Sequence, residues 1–208
     1  MINIALPKGR LGVSAAELFS QAGYTFDCVC DNTRRLFFVN HKMNVSMFWV
    51  KPFDVPAFVE SGAADLGVCG NDVLLEKDLD IYEIFDLRKG ICRLSAAGKN
   101  TSAFNNNRKL RVATKYPNVS RKYYARLGRD VDIIELNGSM EIAPVIGIAD
   151  VIIDIIQSGA TMRENGLTEF ECVCDVSARL VANIAAFQTK HYEISEILRK
   201  ISKALKED

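Results

Sequence analysis

The chain has 208 residues, 49% of them hydrophobic and 25% charged, which is typical of a globular protein with one large or two small domains. Its 26 basic residues balance its 26 acidic residues, so the formal net charge is zero. This balance argues against a general nucleic-acid binder or a membrane-surface binder, and any cationic site must be local.

Strands and helices alternate along the first half of the chain. Apolar runs predict strands at 2–6, 35–39, 45–50, 65–69 and 81–87. Helices are expected at 12–22, where Ser14 and Glu17 form a possible capping box, and at 54–61, where Asp54 is a suitable N-cap.

The second half continues the same alternation. Strands are predicted at 110–114, 132–136 and 151–155, and helices at 119–127 and 140–146. Residues 170–186 carry long apolar stretches. The last helix, at about 191–205, is amphipathic, and one face carries five apolar residues. They are Ile194, Ile197, Leu198, Ile201 and Leu205.

Strands separated by helices predict an α/β protein with mainly parallel sheets. Ligands in such folds lie beyond the carboxyl ends of the strands. The loops expected at those ends are rich in Gly, Ser, Asn and charged residues, which favours a cleft between two lobes. These loops are 7–10, 51–54, 70–72, 137–141 and 157–161.

Neither a targeting signal nor a membrane span is predicted. Residues 1–10 lack the basic stretch, apolar segment and cleavage site of a signal peptide, and no apolar run approaches the ~18 residues of a span. We therefore expect a cytoplasmic protein.

Six cysteines occur, and two pairs have Cys-x-Cys spacing, which could indicate a metal site or a disulfide. Zinc sites usually use Cys-x-x-Cys, and His41 and His191 have no ligand-like spacing to the cysteines. In a reducing compartment we expect buried thiols that act as small hydrophobic residues. The six are Cys28, Cys30, Cys69, Cys92, Cys172 and Cys174.

Residues 148–167 are the most informative segment. A carboxylate, Asp154, interrupts the apolar run 151–156, and a loop of small residues precedes a helix-like stretch. Backbone N–H groups in such a loop bind anions, and a carboxylate accepts hydrogen bonds from sugar hydroxyls. The pattern predicts a ribose-phosphate site; the alternative is an aspartate that caps the next turn. The loop residues are Ser158, Gly159, Ala160 and Thr161.

Four basic residues are candidates for phosphate contacts. Lys8 and Arg10 flank a glycine after the first strand, which suits either a polyphosphate site or a solvated basic turn. Arg34 precedes a strand next to a second arginine, and both could be surface residues. Lys51 ends an apolar strand and could face a phosphate or solvent.

Two acidic residues complete the candidates. Asp72 follows a Gly-Asn turn and is either an N-cap or a residue of the cleft. Glu141 lies near the start of a predicted helix, where it fits the helix dipole without any further role. Its loop is expected beside the strand of Asp154, so Glu141 is also a plausible second carboxylate near a ribose or a magnesium ion.

Seven segments together resemble the ATP phosphoribosyltransferase family, which catalyses the first step of histidine biosynthesis. They follow one another in order over nearly the whole chain. They are Ala5–Leu11, Val50–Pro56, Ala64–Asp72, Asp86–Arg93, Val112–Asn118, Leu136–Pro144 and Asp154–Leu167.

The resemblance implies a two-lobed fold of the periplasmic-binding-protein type (type II). It implies a first lobe of residues 1–90 and 176–208 and a second lobe of residues 91–175, which carries the phosphoribosyl pyrophosphate loop. The length is similar to that of the short form, which lacks the C-terminal histidine-binding domain. That form works with a regulatory subunit related to histidyl-tRNA synthetase in a hetero-octamer built from homodimers.

The family joins N1 of the adenine of ATP to C1 of phosphoribosyl pyrophosphate and releases pyrophosphate, with Mg²⁺ bound to the substrates. The resemblance implies that Asp154 holds ribose hydroxyls, that Ser158 to Thr161 hold the 5′-phosphate and that Glu141 lies near the ribose. Lys8, Arg10 and Arg34 are the implied catalytic cations, facing pyrophosphate and the phosphates of ATP. Lys51 and Asp72 are expected to bind substrate.

One departure distinguishes this segment from other phosphoribosyltransferases. Their common motif has two adjacent acids before the phosphate loop, whereas Ile155 follows Asp154 here. This favours the ATP-specific family over a purine-salvage enzyme. A second hypothesis is a non-catalytic sensor or solute-binding module, because two-lobed folds often only bind ligands.

Overall fold

The computed structural model describes residues 1–26, 34–100 and 109–207. They fall into two compact units, of which unit 1 comprises Met1–Gly90 and Ser177–Asp208 and unit 2 comprises Ile91–Val176. Cys28 and Cys30 lie outside the described residues. No helix in the described ranges is long and apolar enough to cross a membrane.

Unit 1 is built on a six-stranded sheet in the order β2-β3-β1-β4-β11-β5. Strand β1 is parallel to β3 and β4, and the other neighbouring pairs are antiparallel. Its strands are β1 (Ile2–Pro7), β2 (Phe37–Asn40), β3 (Val45–Val50), β4 (Leu66–Gly70), β5 (Tyr82–Asp86) and β11 (Ala178–Ala182). Its helices are α1 (Arg10–Gln21), α2 (Val55–Glu60), α3 (Asn71–Lys77), α7 (Ile184–Thr189) and α8 (His191–Glu207), with a 3₁₀ turn at Pro52–Asp54.

Alternation along β1 divides the core of unit 1 between the two faces of the sheet. Ile4 and Leu6 pack with residues of α1 and α8, whereas Ala5 packs with Val55 and Val59 of α2. On α8 the predicted apolar face is confirmed, because Ile194, Ile197 and Ile201 are buried and Leu198 and Leu205 pack against them.

Unit 2 has a five-stranded sheet in the order β10-β6-β9-β7-β8. Strand β7 is parallel to β8 and β9, while β6 is antiparallel to β9 and β10. The strands are β6 (Cys92–Gly98), β7 (Leu110–Thr114), β8 (Val131–Glu135), β9 (Val151–Ile156) and β10 (Thr168–Val176). The helices are α4 (Pro117–Arg126), α5 (Ile142–Val145) and α6 (Ala160–Glu164).

The prediction of mainly parallel sheets is wrong. Four strand pairs are parallel and five are antiparallel among the described residues. Strands β6, β10 and β11 account for most of the difference. Strand β6 was not predicted, and the apolar stretches at 170–186 gave no direction for pairing. The candidate site residues nevertheless lie on or next to parallel strands, namely β1, β3 and β4 in unit 1 and β7 and β9 in unit 2.

The predicted capping box at the first helix is also wrong. Helix α1 begins at Arg10, with Gly9 as its N-cap, so Ser14 and Glu17 lie inside the helix. Gly12 explains the early start, since a Cβ atom there would lie 1.7 Å from the carbonyl oxygen of Pro7. The helix therefore approaches the end of β1 so closely that its first turn directly follows the strand.

The expectation of buried thiols holds for only part of the set. Cys69 is fully buried, and burial raises the pKa of its thiol, as expected of a small hydrophobic residue. Cys92 and Cys174 are half-buried, and Cys172 is exposed. The reason is that Cys172 and Cys174 lie on β10, which is an edge strand of its sheet.

Candidate active site

The first loop of unit 1 lies at the end of the central parallel strand. Lys8 follows β1, and its backbone N–H donates a hydrogen bond of 2.8 Å to the carbonyl of Val50 at the end of β3. Lys51, the residue after Val50, therefore lies next to Lys8 at the ends of these two strands. The side chains of Lys8, Arg10 and Lys51 are exposed, so the structure brings three predicted cations to one edge of the sheet.

Arg34 comes to the same edge from the opposite direction. Strand β2 runs antiparallel to β3, so the start of β2 lies beside the end of β3. The backbone N–H of Trp49 donates to the carbonyl of Leu36 at 2.8 Å, which fixes this pairing. Arg34 is exposed and lies two residues before Leu36.

Asp72 follows β4, the parallel neighbour of β1 on its other side. It lies in the first turn of α3, a helix where sequence analysis predicted only a turn. The N-cap of α3 is Gly70, so the N-cap alternative for Asp72 is wrong. Asp72 is 7% exposed, and its charge in the first turn complements the N-terminus of the helix.

In unit 2, Asp154 lies on β9, opposite Ser95 of β6. Its side chain is half-buried, not fully buried as an apolar run would suggest. One carboxylate oxygen, Oδ1, accepts a hydrogen bond of 2.8 Å from the backbone N–H of Ile155. Partial exposure lowers the free-energy cost of placing this charge within an apolar strand.

The predicted phosphate loop turns at a glycine that directly precedes α6. Gly159 is the N-cap of α6 with φ of +70°, a left-handed conformation that favours glycine. Ala160 and Thr161 form the first turn of α6 rather than part of the loop, and Ser158 and Thr161 are exposed. Within the described part of the chain, the N–H groups of Ser158, Gly159 and Thr161 have no acceptor.

Glu141 is brought near β9 indirectly. Strand β8, which precedes it, is separated from β9 by β7, so the two loops do not follow neighbouring strands. The contact comes from α5, since Met140 and Ala143 pack with Ile152 of β9 in one apolar cluster. Glu141 is half-buried and is the N-cap of α5, which begins at Ile142, whereas the predicted helix 140–146 included Glu141.

Thr114 was not among the predicted site residues, yet it fixes the end of the intervening strand. Its hydroxyl donates to the carbonyl of Ile153 at 2.8 Å and accepts from the backbone N–H of Tyr116 at 2.9 Å. The hydroxyl of Ser120 donates to the same oxygen at 3.4 Å. This network joins the ends of β7 and β9 next to Asp154. Its only signal in the sequence is a polar residue that closes an apolar strand.

A solved structure defines the class of fold. The chain matches the "ATP phosphoribosyl transferase (HisG:HisZ) complex from Thermotoga maritima" with a TM-score of 0.88 and 32% identity, over 100% of both chains. It therefore has the two-lobed, type II periplasmic-binding-protein-like fold of an α/β transferase.

Two sequence comparisons give the family. The family model described as ATP phosphoribosyltransferase (HisG) matches residues 51–203. The "ATP phosphoribosyltransferase" of Caldanaerobacter subterraneus subsp. tengcongensis is 44% identical over 207 residues, which cover 99% of this chain and 98% of that protein. The Brachyspira hyodysenteriae protein of the same name is 45% identical over 206 residues, covering 99% and 100%. The chain belongs to the ATP phosphoribosyltransferase family.

The activity follows from the family. The chain is a pentosyltransferase (EC 2.4.2.17), which condenses ATP with phosphoribosyl pyrophosphate in the first step of histidine biosynthesis. Its length corresponds to that of these short-form relatives. The hypothesis of a non-catalytic solute-binding module is not supported, because the relatives matched over the whole chain are enzymes.

Proposed function

We propose that unit 2 is the lobe that binds phosphoribosyl pyrophosphate. In this proposal Asp154 accepts hydrogen bonds from the ribose hydroxyls, and the segment from Ser158 to Thr161 binds the 5′-phosphate. The observation that carries it is the half-buried carboxylate at the end of β9, four residues before a turn with unused N–H groups. Glu141 lies on the element packed against the same strand and is proposed to lie near the ribose.

The basic edge of unit 1 is proposed to bind the phosphates of ATP and the pyrophosphate group. Lys8, Arg10 and Lys51 follow the ends of adjacent parallel strands, and Arg34 precedes the strand beside them. Exposed cations at a strand-end edge suit a polyanionic ligand. Asp72 is proposed to bind substrate from the first turn of α3, which follows β4.

The chemistry requires charge stabilisation more than a nucleophilic side chain. N1 of adenine forms a bond to C1 of the ribose, while the C1–O bond breaks and its electron pair leaves with pyrophosphate. Positive charge develops on the ribose and negative charge on the leaving group. A positioned cation or donor contributes about 10²–10³ in rate in such sites, and direct displacement otherwise depends on orientation. Arg10, Lys8 and Arg34 are proposed to stabilise the leaving group.

The donor set fits a magnesium ion that is held mainly by substrate. No group of three or more His, Cys, Asp or Glu among the described residues could bind a metal by itself. Mg²⁺ commonly uses one or two carboxylates together with substrate phosphates. Asp154 and Glu141 are the carboxylates proposed to contact it, and the ion would neutralise charge on pyrophosphate.

A regulatory partner is proposed from the structural relative, which is a HisG:HisZ complex. We expect this chain to assemble with a regulatory subunit related to histidyl-tRNA synthetase, in a hetero-octamer built from homodimers. Exposed apolar side chains in and after α5 support a protein contact on unit 2. They are Ile142, Val145, Ile146 and Ile148. The cytoplasm is the proposed compartment, in agreement with a biosynthetic family.

Binding measurements with single variants test the proposal. Asp154→Asn and Thr161→Ala are expected to weaken phosphoribosyl pyrophosphate binding about tenfold or more, measured by calorimetry, because each loses a direct ligand contact. Thr168→Ala, an exposed threonine in the same unit, is the matched control. Wild-type affinity in both site variants would remove the assignment.

Turnover tests the basic edge of unit 1. Formation of the adenosine adduct is followed by ultraviolet absorbance with ATP, phosphoribosyl pyrophosphate and magnesium, with and without the regulatory subunit. Arg10→Ala is expected to lower kcat about 10²-fold while the fold is retained. Arg121→Ala, an exposed arginine of α4, serves as the control. Near-wild-type turnover of Arg10→Ala contradicts the charge-stabilising role.

A further inference from the structure

We propose that Arg163 is a binding residue for the 5′-phosphate of phosphoribosyl pyrophosphate, which it contacts from the second turn of the loop–helix segment. The inference rests on the function proposed for residues 154–161. It adds a residue that neither the sequence pattern nor the family resemblance singled out, and it assigns that residue to one end of one substrate.

Charge balance within the segment gives the first reason. Residues 148–167 contain one basic residue, Arg163, and three acidic residues, Asp150, Asp154 and Glu164. A phosphate monoester brings about −1.5 to −2 charges at neutral pH. The backbone N–H groups of a turn provide only partial charges. A full positive charge near the loop must therefore come from Arg163 or from another part of the protein.

The position of the guanidinium group gives the second reason. Nη1 of Arg163 donates a hydrogen bond of 3.1 Å to the carbonyl oxygen of Ser158. A Cβ atom built on Gly159 would lie 3.0 Å from the same nitrogen. The side chain thus extends back from α6 and lies directly against the two residues that begin the proposed phosphate loop.

Helix geometry explains why the side chain reaches the loop. The backbone N–H of Arg163 donates to the carbonyl of Gly159 at 3.1 Å, so Arg163 lies one helical turn after the N-cap. Side chains in an α-helix point toward the N-terminus and cover the preceding turn. A long basic residue at this position therefore places its charge over Ser158 and Gly159.

The hydrogen bond to Ser158 has two consequences for an anion. A carbonyl oxygen that faced the phosphate would repel it, and the bond to Nη1 holds this oxygen on the side of Arg163. A guanidinium group has five N–H donors, and this bond uses one of them. The planar group can therefore bind a phosphate oxygen while it retains Ser158.

The competing explanation is purely local. Arg163 lies in the last turn of α6, where a positive charge also complements the helix dipole. In that case Arg163 would contribute to folding stability and not to ligand affinity. The side chain of Arg163 is exposed, so its charge should contribute little to folding stability in the absence of a bound phosphate. The two explanations differ in which ligand responds to a substitution.

The test compares Arg163→Ala, Arg163→Lys and Arg163→Glu with the control Arg121→Ala in the full enzyme. Steady-state kinetics give KM for phosphoribosyl pyrophosphate and for ATP, kcat, and the inhibition constants of ribose 5-phosphate and pyrophosphate. Ribose 5-phosphate retains the 5′-phosphate without the pyrophosphate group, whereas pyrophosphate lacks the 5′-phosphate. The pair therefore reports which end of the substrate is affected.

Arg163→Ala is expected to raise KM for phosphoribosyl pyrophosphate and the inhibition constant of ribose 5-phosphate about tenfold, since a charge-assisted hydrogen bond is lost. The ATP and pyrophosphate values should change less than about twofold. Lysine should recover part of the loss and glutamate should exceed it. The ribose 5-phosphate affinity of the wild type should fall more steeply with salt than that of Arg163→Ala.

Two results overturn the inference. One is an unchanged affinity for ribose 5-phosphate in Arg163→Ala and Arg163→Glu. The other is an equal loss for ribose 5-phosphate and pyrophosphate, which would indicate a general structural defect. If Asp154→Asn and Thr161→Ala weaken binding while Arg163→Ala does not, only this inference fails. If none of these variants changes the affinity, the proposed function of the loop fails as well.

Discussion

Asn71 and Ser177 exchange two hydrogen bonds across unit 1. The backbone N–H of Asn71 donates to the carbonyl of Ser177 at 3.1 Å, and the backbone N–H of Ser177 donates to Oδ1 of Asn71 at 3.0 Å. The hydroxyl of Ser177 also lies 3.1 Å from Oδ1 of Asp86, to which it donates. The first residue of the returning segment is thus attached to the start of α3, next to the candidate substrate residue Asp72.

We expect Asn71→Ala to lower the free energy of unfolding by about 1–3 kcal/mol, because the half-buried N–H of Ser177 loses its acceptor. Ser177→Ala retains both backbone bonds and loses only the contact with Asp86, so about 0.5–1.5 kcal/mol is expected. Urea unfolding measures both. An equal decrease in the free energy of unfolding in the two variants would show that the hydrogen bond from Ser177 to the side chain of Asn71 adds no more stability than the contact with Asp86.

A second prediction concerns Asp65, which is 5% exposed. Its Oδ1 accepts from Nζ of Lys190 at 2.7 Å, and its Oδ2 accepts from the backbone N–H of Asn3 at 2.8 Å. We expect Asp65→Ala to cost about 2–4 kcal/mol, since the backbone N–H of Asn3 loses its acceptor and Lys190 loses its ion-pair partner, retaining the carbonyl of Met1 at 3.2 Å.

Lys190→Met is the companion variant to Asp65→Ala. It should cost less, because Lys190 is partly solvated and the hydrogen bond from Asn3 remains. Thermal unfolding of both variants tests the order. A larger loss in Lys190→Met than in Asp65→Ala would show that the carboxylate is not the central group.

A third prediction concerns Gly12. Alanine is favoured over glycine inside a helix by about 1 kcal/mol, so a simple propensity argument predicts that Gly12→Ala is stabilising. The structure predicts the opposite, because the new Cβ atom would lie 1.7 Å from the oxygen of Pro7 and 2.5 Å from the ring of Trp49. A backbone atom cannot move aside as a flexible side chain can, and the expected net loss is about 1–3 kcal/mol.

Calorimetric unfolding of Gly12→Ala measures the sign of the effect. Ser20→Ala, at an exposed position of the same helix, is the control and should change stability little. Because α1 carries Arg10, we also expect Gly12→Ala to raise KM for ATP or phosphoribosyl pyrophosphate. A more stable variant with normal kinetics would refute the close approach of α1 to β1.

A fourth prediction concerns the ionisation of Tyr123. Burial, and then a hydrogen bond of 2.7 Å from its hydroxyl to Glu171, raise the pKa of Tyr123 to about 12 from 10.0. The folded state therefore retains this proton better than the unfolded state. The resulting stability is complete below pH 10.0 and is lost as the pH rises toward about 12.

Difference spectroscopy of the wild type against Tyr123→Phe follows this titration. In Glu171→Gln the pKa of Tyr123 should fall, because the negative charge is removed, yet remain above 10.0, because burial is the larger cause. A return to the ordinary value of 10.0 in Glu171→Gln would show that the carboxylate, and not burial, is the main cause.

Local patterns predicted the elements that local interactions define. Strands β3 and β7 were predicted at the bounds that the structure shows, because each is a short apolar run between turn residues. The apolar face of α8 followed from its spacing alone. Strand β6 was not predicted, and β10 and β11 were not separated within the apolar stretches at 170–186. Their pairing direction depends on partners far away in the sequence.

The candidate site divides in the same manner. The residue types near 154–161 and at Lys8 and Arg10 indicated phosphate and ribose chemistry, and the family resemblance assigned their roles, which stay predictions. Thr114 and Arg163 gave no such indication. Their relevance depends on a hydroxyl shared between β7 and β9 and on a side chain that covers the preceding helical turn.

By itself, the sequence determined the order of most elements and the chemical character of the loop after Asp154, because these depend on residue type and short-range spacing. The class of protein came from the resemblance of seven ordered segments to a known family. Only the tertiary structure decided that the strand ends next to the four predicted cations lie at one edge of the sheet. It also decided that α1 begins at Arg10 and that the side chain of Arg163 lies against Ser158 and Gly159. The physical reason is that strand pairing and close packing set these positions. Strand pairing joins residues that are distant in the chain, and the contact of Arg163 joins residues one helical turn apart.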